Sequence, residues 1–494
     1  MPSMATTSFL CRATAAVFVR AIAALLVGSA VSCSVGPPYV RPSVDVPAAY
    51  REDGLWKRAQ PGSIDPHQPW WSWYGDATLE QLMARANAAN QTVRQAEARY
   101  RQAVAAIDEA RGAGRPQVGI GASAGRGNSS VTSRNATTTL SVGLTTSWEP
   151  DLFGSVRSAV EANRALAAAS GDDLAGERLA IQSALAQSYF QLRWLDAQRA
   201  LYDRTISAYA KALQLTRAQY EQGVALRTDV ALAETQLTST QALAVDLDAQ
   251  RAALEHAIAI LIGQSPAAFA LPALASPDHV AAGLPDVPVA LPSALLERRP
   301  DIAAAERRAA AANAEIGVAR AAYFPSLSLT ASGAGAAAAL HTLIEAPVRV
   351  WSLGASLAQT VFDGGLRDAR SAEAAAAYDV TVASYRQTVL TGFQQVEDQL
   401  ATLRVLDREL ALQDAAVRSA QLAERLALDQ YRAGTATYLT VIIAQTQSLA
   451  NERTAVQLRS RQYVANVALI VALGGGWPDA TTTSSGPALA APSP

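Results

Sequence analysis

The strongest constraint on this chain of 494 residues is that its pattern is written twice. Ala110-Arg111-Gly112-Ala113-Gly114-Arg115-Pro116 aligns with Ala319-Arg320-Ala321-Ala322-Tyr323-Phe324-Pro325, an offset of 209. Tyr220-Glu221-Gln222-Gly223 aligns with Tyr431-Arg432-Ala433-Gly434, an offset of 211. The same 211 relates Ala233, Thr235 and Gln236 to Ala444, Thr446 and Gln447, and Gly263 to Gly474. Two extra residues therefore enter the second copy between these blocks. A period this long is not that of a solenoid, whose repeats run about 20–50 residues. It reads as duplication of a whole structural unit.

Each unit has one internal order. A helix comes first, over 78–112 and 293–321. Two short alternating segments follow. In the first copy Val118, Ile120 and Ala122 alternate with Gly119, Gly121 and Ser123, and Leu140, Val142 and Leu144 with Ser141, Gly143 and Thr145. In the second, Leu327, Leu329 and Ala331 alternate with Ser328, Thr330 and Ser332, and Trp351, Leu353, Ala355 and Leu357 with Ser352, Gly354, Ser356 and Ala358. Period two with one apolar face is a strand signature. None of these positions is charged, and an apolar face backed by small polar residues suits a membrane barrel around water. A long helical stretch comes next, 155–220 and 366–432. Leu174, Ile181, Leu185, Leu192 and Leu195 mark a coiled-coil-like seam along it. Gly223 and Gly434 break it, and a shorter helix returns. Half of the residues are hydrophobic but only 6 % are aromatic. Much of the apolar total is alanine, which favours close-packed helices. The predicted fold class is mainly α with a small β part.

Length then separates the parts. At about 1.5 Å per residue the long helix of each unit spans about 100 Å, against a bilayer core of roughly 30 Å. No stretch reaches about 18 uninterrupted apolar residues, so strands rather than helices must cross any membrane. Four strands cannot close alone, since the smallest bacterial barrels have about eight. The chain must oligomerise to remove its sheet edges; by arithmetic alone, two copies bring eight strands and three bring twelve.

The N-terminus reads as an export signal over 1–32: Arg12 and Arg20, the apolar run 21–27, then Ala30-Val31-Ser32-Cys33. Cys33 at the cleavage point suggests lipidation there, an N-acyl and S-diacylglycerol group, although Ala30 stands where a lipobox usually has leucine. Cys11 and Cys33 are the two cysteines, so no disulfide is expected in the mature fold. The domain reading is an anchored irregular segment over 33–77, a first repeat over 78–263 and a Pro-rich linker over 264–292. A second repeat over 293–477 and a disordered tail over 478–494 complete it. The strands fall near 117–127, 138–148, 326–335 and 349–361. Trp70, Trp71 and Trp73 are expected to pack rather than to cage a ligand. A net charge of −2 gives no reason to expect nucleic acid. Four scattered histidines favour no metal site, and no hydrolase, metalloprotease or nucleotide-loop motif is present. The chain is expected not to be an enzyme.

Particular blocks carry a family resemblance: Cys33-Ser34-Val35-Gly36-Pro37-Pro38-Tyr39, Trp70-Trp71-Ser72-Trp73-Tyr74-Gly75-Asp76, and Leu291-Pro292-Ser293-Ala294-Leu295-Leu296-Glu297-Arg298-Arg299-Pro300-Asp301-Ile302 running on to Arg320. They resemble the TolC-like outer-membrane factors, NodT-type lipoprotein branch. The resemblance covers Cys33 to Trp477. It implies a homotrimer with a 12-stranded barrel and a helical tunnel, a lipid-anchored place in the bacterial outer membrane, and passive export of small molecules. It also implies two partners, a periplasmic adaptor protein and an inner-membrane pump of the resistance-nodulation-division type. The tips Tyr220–Asp229 and Tyr431–Thr440 would close the tunnel and dock the adaptor, with Gly223, Arg227, Asp229, Tyr431, Gly434, Tyr438, Thr440 and Ile443 as the site residues. By position Asp229 resembles the family's gate aspartate, expected to bond Tyr431. The gate arginine of the family falls at Ala436, and two acidic positions fall at Thr440 and Ile443. Constriction is then expected from Tyr438, Leu439 and Ile443 as an apolar plug. The rival readings are a type I protein-secretion duct and a periplasmic coiled-coil protein without a pore.

Overall fold

A computed structural model describes residues 35–52, 69–127, 136–274, 284–285, 287, 298–345 and 348–475. Cys33, Trp56, most of the 264–292 linker and the 478–494 tail lie outside these. The chain divides into two compact units. One comprises residues 1–43, 99–170 and 304–385, and the other residues 44–98, 171–303 and 386–494.

In chain order the helices and strands of the first copy are α1 (Ala77–Ala89), α2 (Gln91–Ala113), β1 (Gln117–Gly127), β2 (Thr137–Trp148), α3 (Ser155–Glu221) and α4 (Arg227–Leu261). The second copy has α5 (Pro300–Ala321), β3 (Ser326–Ala337), a six-residue α6 (Leu340–Glu345), β4 (Val348–Ala358), α7 (Leu366–Arg432) and α8 (Tyr438–Ala472). The two long helices have 67 residues each and their returning partners 35 each. No helix among the described residues is long and apolar enough to cross a membrane.

The first unit holds the sheet, antiparallel throughout in the order β1-β2-β3-β4. Register places Val118, Ile120, Val142, Leu144, Leu327, Leu329, Leu353 and Leu357 on one face. Ser123, Ser141, Thr145, Ser328, Thr330, Ser332, Ser352 and Ser356 stand on the other. Two hydroxyl pairs bridge strands on that second face, Ser123–Ser141 and Ser332–Ser352, each at 2.8 Å. Among the described residues nothing covers the apolar face: Ile120 is 79 % exposed and Leu353 76 %. Just below the sheet, Phe153 and Phe324 stack at 4.8 Å.

The segment that follows Cys33 is seated in the same unit. Asn313 donates to the Pro37 carbonyl at 2.9 Å, and the Tyr39 hydroxyl donates to Glu306 Oε1 at 2.7 Å. Burial and the Glu306 carboxylate push the Tyr39 phenol far up. Gly36 sits so close that a Cβ there would lie 3.0 Å from Gly317 Cα. Two glycines therefore let the segment lie against α5.

In the second unit the single first helix expected from the sequence is broken at Asn90. Asn90 adopts an extended backbone, and its Oδ1 accepts from Thr92 and Val93 N–H at 2.8 and 3.0 Å. An asparagine that caps its own following turn starts α2 afresh. Its Nδ2 donates to the Leu261 carbonyl, at the last residue of α4. The second copy repeats the joint with other chemistry. Arg299, 209 residues on, donates to the Ala472 carbonyl at the last residue of α8. Gly263 and Gly474 end these returning helices with φ of 71° and 100°. A Cβ on Gly263 would lie 2.3 Å from the Ala89 carbonyl oxygen, so only glycine fits on both counts.

Packing in this unit is aromatic at one level and ionic at the next. Tyr74 lies 4.8 Å from Phe190 and 6.2 Å from Tyr463, and its hydroxyl donates to Asn466. Trp70 is buried against Trp71 and Tyr74. Asp76 caps α1 through Thr78 and Leu79 N–H and accepts the Tyr189 hydroxyl. Nearby, buried Asp196 accepts from Arg251 at 2.8 Å and from buried Arg193 at 3.2 Å. Those guanidiniums also donate to the Leu271 and Pro272 carbonyls, fixing residues 271–272 against α3 and α4.

Candidate functional site

The hairpin tips form because each long helix ends in the same hydrogen-bonded stop. In the first, Gly223 takes φ of 76°; Val224 N–H bonds Gln219 O and Gly223 N–H bonds Tyr220 O. In the second, Gly434 takes φ of 72°; Thr435 N–H bonds Gln430 O and Gly434 N–H bonds Tyr431 O. This 6→1 and 5→2 pair is the Schellman motif, and glycine supplies the left-handed residue it needs. Gly223 and Gly434 thus set where the tips lie.

Inside the pair of hairpins, Leu213, Ala233, Tyr431, Tyr438 and Val441 form one buried cluster, with Val230, Leu237 and Leu428 packed against it. The rings of Tyr431 and Tyr438 lie 5.1 Å apart. Burial, with Tyr431 and Asp229 nearby, pushes the Tyr438 phenol up to about 12. Arg217 pairs with Glu234 at 2.5 Å across the first hairpin.

The expected apolar plug needs correcting. Tyr438 is only 2 % exposed and belongs to the cluster. Tyr438, Val441, Gln445 and Ser448 are all buried along α8, and spacings of three and four define one helix face. Leu439 and Ile443 lie on another face and are 53 % and 61 % exposed. Thr440 is also exposed. Tyr438 therefore holds the hairpins together, while Leu439, Thr440 and Ile443 face outward.

Asp229 and Tyr431 also take partners other than each other. Asp229 Oδ2 accepts the Leu226 N–H at 3.1 Å, closing the first turn of α4 from the third helical position. The Tyr431 hydroxyl lies 3.5 Å from Thr216 Oγ1. A carboxylate three residues into a helix finds the unpaired N–H groups of its own N-terminus first. Arg227 is exposed at the first position of α4.

Two residues not singled out from the sequence stand out on the first tip. Val224 and Leu226 are 73 % and 69 % exposed. The second copy has Thr435 and Thr437 at these places, an offset of 211. The signal was available in that comparison: one tip offers apolar side chains and the other hydroxyls. Among the described residues no cluster of His, Cys, Asp and Glu could hold a metal ion.

Known proteins share this build. The sequence profile described as "Outer membrane efflux protein" matches residues 82–264 and again 291–475. The chain is 32 % identical to the outer membrane protein OprJ of Pseudomonas aeruginosa, over 92 % of its own length and 96 % of that protein's. It is 30 % identical to the probable efflux pump outer membrane protein TtgC of Pseudomonas putida, over 93 % and 96 %. Among solved structures, the outer-membrane channel OprN matches with a TM-score of 0.81 at 31 % identity, covering 90 % of this chain and all of that one.

Proposed function

Because this chain belongs to the outer membrane efflux protein family, we propose that three copies close their sheets into one 12-stranded barrel and pass small molecules outward. The observation that carries this reading is the sheet: four strands, two chemically distinct faces, and outer strands β1 and β4 that each pair with a single strand among the described residues. Exposed sheet edges are not tolerated within a bilayer. Identical copies joined edge to edge satisfy every backbone group, with the apolar face toward lipid and the Ser/Thr/Gly face toward water.

The channel performs no chemistry and is passive; the driving free energy comes from an inner-membrane pump of the resistance-nodulation-division type, met through a periplasmic adaptor. Both hairpin tips serve as the adaptor's seat and as the gate. The apolar pair Val224 and Leu226 supports docking on the first tip, and Thr435 and Thr437 give the second a different seat. Thr440 and Ile443 stand in place of acidic groups, so the closed entrance lacks a carboxylate ring there. Lipidated Cys33 anchors the chain, and the seating of residues 36–39 on α5 supports a fixed anchor position.

Electrophoresis of outer-membrane fractions without and with heating tests the assembly. A trimer band that collapses to monomer on heating is expected, together with raised susceptibility of a deletion strain to exported compounds. A monomeric, soluble periplasmic protein would overturn the reading.

A further inference from the structure

The duplication fixes more than the fold, because the two hairpins correspond residue for residue. In the first, Gln117 pairs with Ser147. Adding 209 and 211 gives Ser326 and Ala358, which are paired in the second. At the far end Arg126 pairs with Thr138, and the same offsets give Gly335 and Arg349, again a pair. Neither hairpin contains a slip or bulge relative to the other. The two extra residues of the second copy lie between Ala336 and Val348, which correspond to Gly127 and Thr137 in the first.

A third pairing, β2 with β3, joins the end of one repeat to the start of the next. Its repeat equivalent cannot exist within one chain, since it would join β4 to a strand β1 that follows it. A second copy of this chain supplies that strand. Applying the same offsets, +211 to β2 and −209 to β3, we infer that β4 pairs antiparallel with β1 of the next copy so that Ser356 faces Ser123, Gly354 faces Gly125 and Ala355 faces Ala124. This rests on the proposed edge-to-edge closure and specifies its register.

Three features favour this register. Thr145 with Ser332 is the intrachain equivalent of Ser356 with Ser123. The inferred contact therefore extends the Ser123–Ser141 hydroxyl row across the seam. Secondly, the apolar faces stay continuous: Leu357 meets Ala122 and Ala355 meets Ala124, as Thr146 meets Ala331 and Leu144 meets Gly333 within the chain. A shift by one residue would turn every side chain of one copy to the wrong face. Thirdly, the seam has room. Gly143 and Ala334 are so close that a Cβ on the glycine would lie 2.6 Å from the Ala334 Cβ. The equivalent inferred pair is Gly354 and Gly125, and a Cβ on Gly125 meets nothing within 4 Å in the single chain. All of β1 and β4 is exposed, whereas β3 is largely half-buried.

Paired cysteines test the register against its two face-preserving alternatives. Ser356→Cys is combined with Ser123→Cys, with Gly121→Cys or with Gly125→Cys in the full-length protein, and oxidised in outer-membrane fractions. Directly opposed residues lie about 4.5–5.5 Å apart, while a two-residue slip gives about 7–8 Å, beyond the usual disulfide span of roughly 7 Å. The Ser356→Cys/Ser123→Cys protein should give covalent dimers and trimers that survive heating without reductant, at least tenfold more than either slipped pair. Ser332→Cys/Ser352→Cys within one chain is the oxidation control. A slipped pair that cross-links best overturns the register and leaves the closure intact. So does a heat-labile trimer in which no pair cross-links while the control oxidises. Monomers throughout, with the control oxidised, would overturn the closure itself.

Discussion

Asn90→Ala should loosen the joint between α1, α2 and the end of α4 without touching either tip. Asn90 is 4 % exposed and makes three contacts at once, two as a cap and one as a donor to Leu261 O. Removing the cap costs about 1 kcal/mol. Leaving the half-buried Leu261 carbonyl without its donor costs about 1–3 kcal/mol more. Local opening should then become easier by about 2–4 kcal/mol, or roughly 30- to 700-fold at 1.4 kcal/mol per tenfold. Hydrogen exchange on the detergent-solubilised full-length protein reads this directly at amides 92–95 and 258–264. Asn90→Asp separates the two roles. It keeps an acceptor for Thr92 and Val93 but loses the donor, so only amides 258–264 should speed up. Exchange within threefold of the parent at both segments in Asn90→Ala would refute the idea that this side chain holds the joint.

Gly263→Ala places a Cβ 2.3 Å from the Ala89 carbonyl oxygen at a φ of 71°; it should lower the protein's thermal unfolding temperature, read by circular dichroism in detergent, more than Gly223→Ala, where the same φ penalty applies with open space around it. Asp196→Ala leaves buried Arg193 facing Arg251 without their shared carboxylate. Loss of about 3–5 kcal/mol is expected, seen as proteolytic cleavage near residue 271 that the parent resists. The Tyr189, Tyr209 and Tyr438 phenols are each pushed up to about 12, chiefly by burial. The folded state therefore retains these protons after the unfolded chain, ionising near 10, has lost them. Their contribution is complete below about pH 10 and is lost as pH rises toward 12. Denaturant midpoints across that window should fall with tyrosinate absorbance, and a flat profile would contradict it.

The strands were the most legible part of this chain. Alternation over β1 to β4 is local, and register adds only which strand lies beside which. The long helices were legible from alanine content and the Leu185–Leu192 seam, both residues fully buried. The break at Asn90 was not, because its cause lies partly in Leu261, 171 residues away in sequence. The arginine at the matching place in the second copy shares with it an N–H donated to the last helical carbonyl, a likeness that residue type alone hides. At the tips, sequence position located the turn glycines correctly but misjudged direction. Tyr438 and Leu439 are neighbours in the chain, yet a helix turns about 100° between them, sending one inward and the other out. The anchor at Cys33 lies outside the described residues and stays a proposal.

The second face of the sheet has one further consequence. Arg126 and Arg349 are the ionisable residues of the four strands, and register puts both on the apolar face. In the proposed barrel the water side is then a wall of hydroxyls, one amide, glycine and small apolar groups with no fixed charge. Such a wall is not an ion exchanger: it builds no Donnan potential and enriches neither cations nor anions. Permselectivity measured with asymmetric salt across the barrel should sit close to neutral, which leaves all sorting of cargo to whatever stands upstream of the outer membrane.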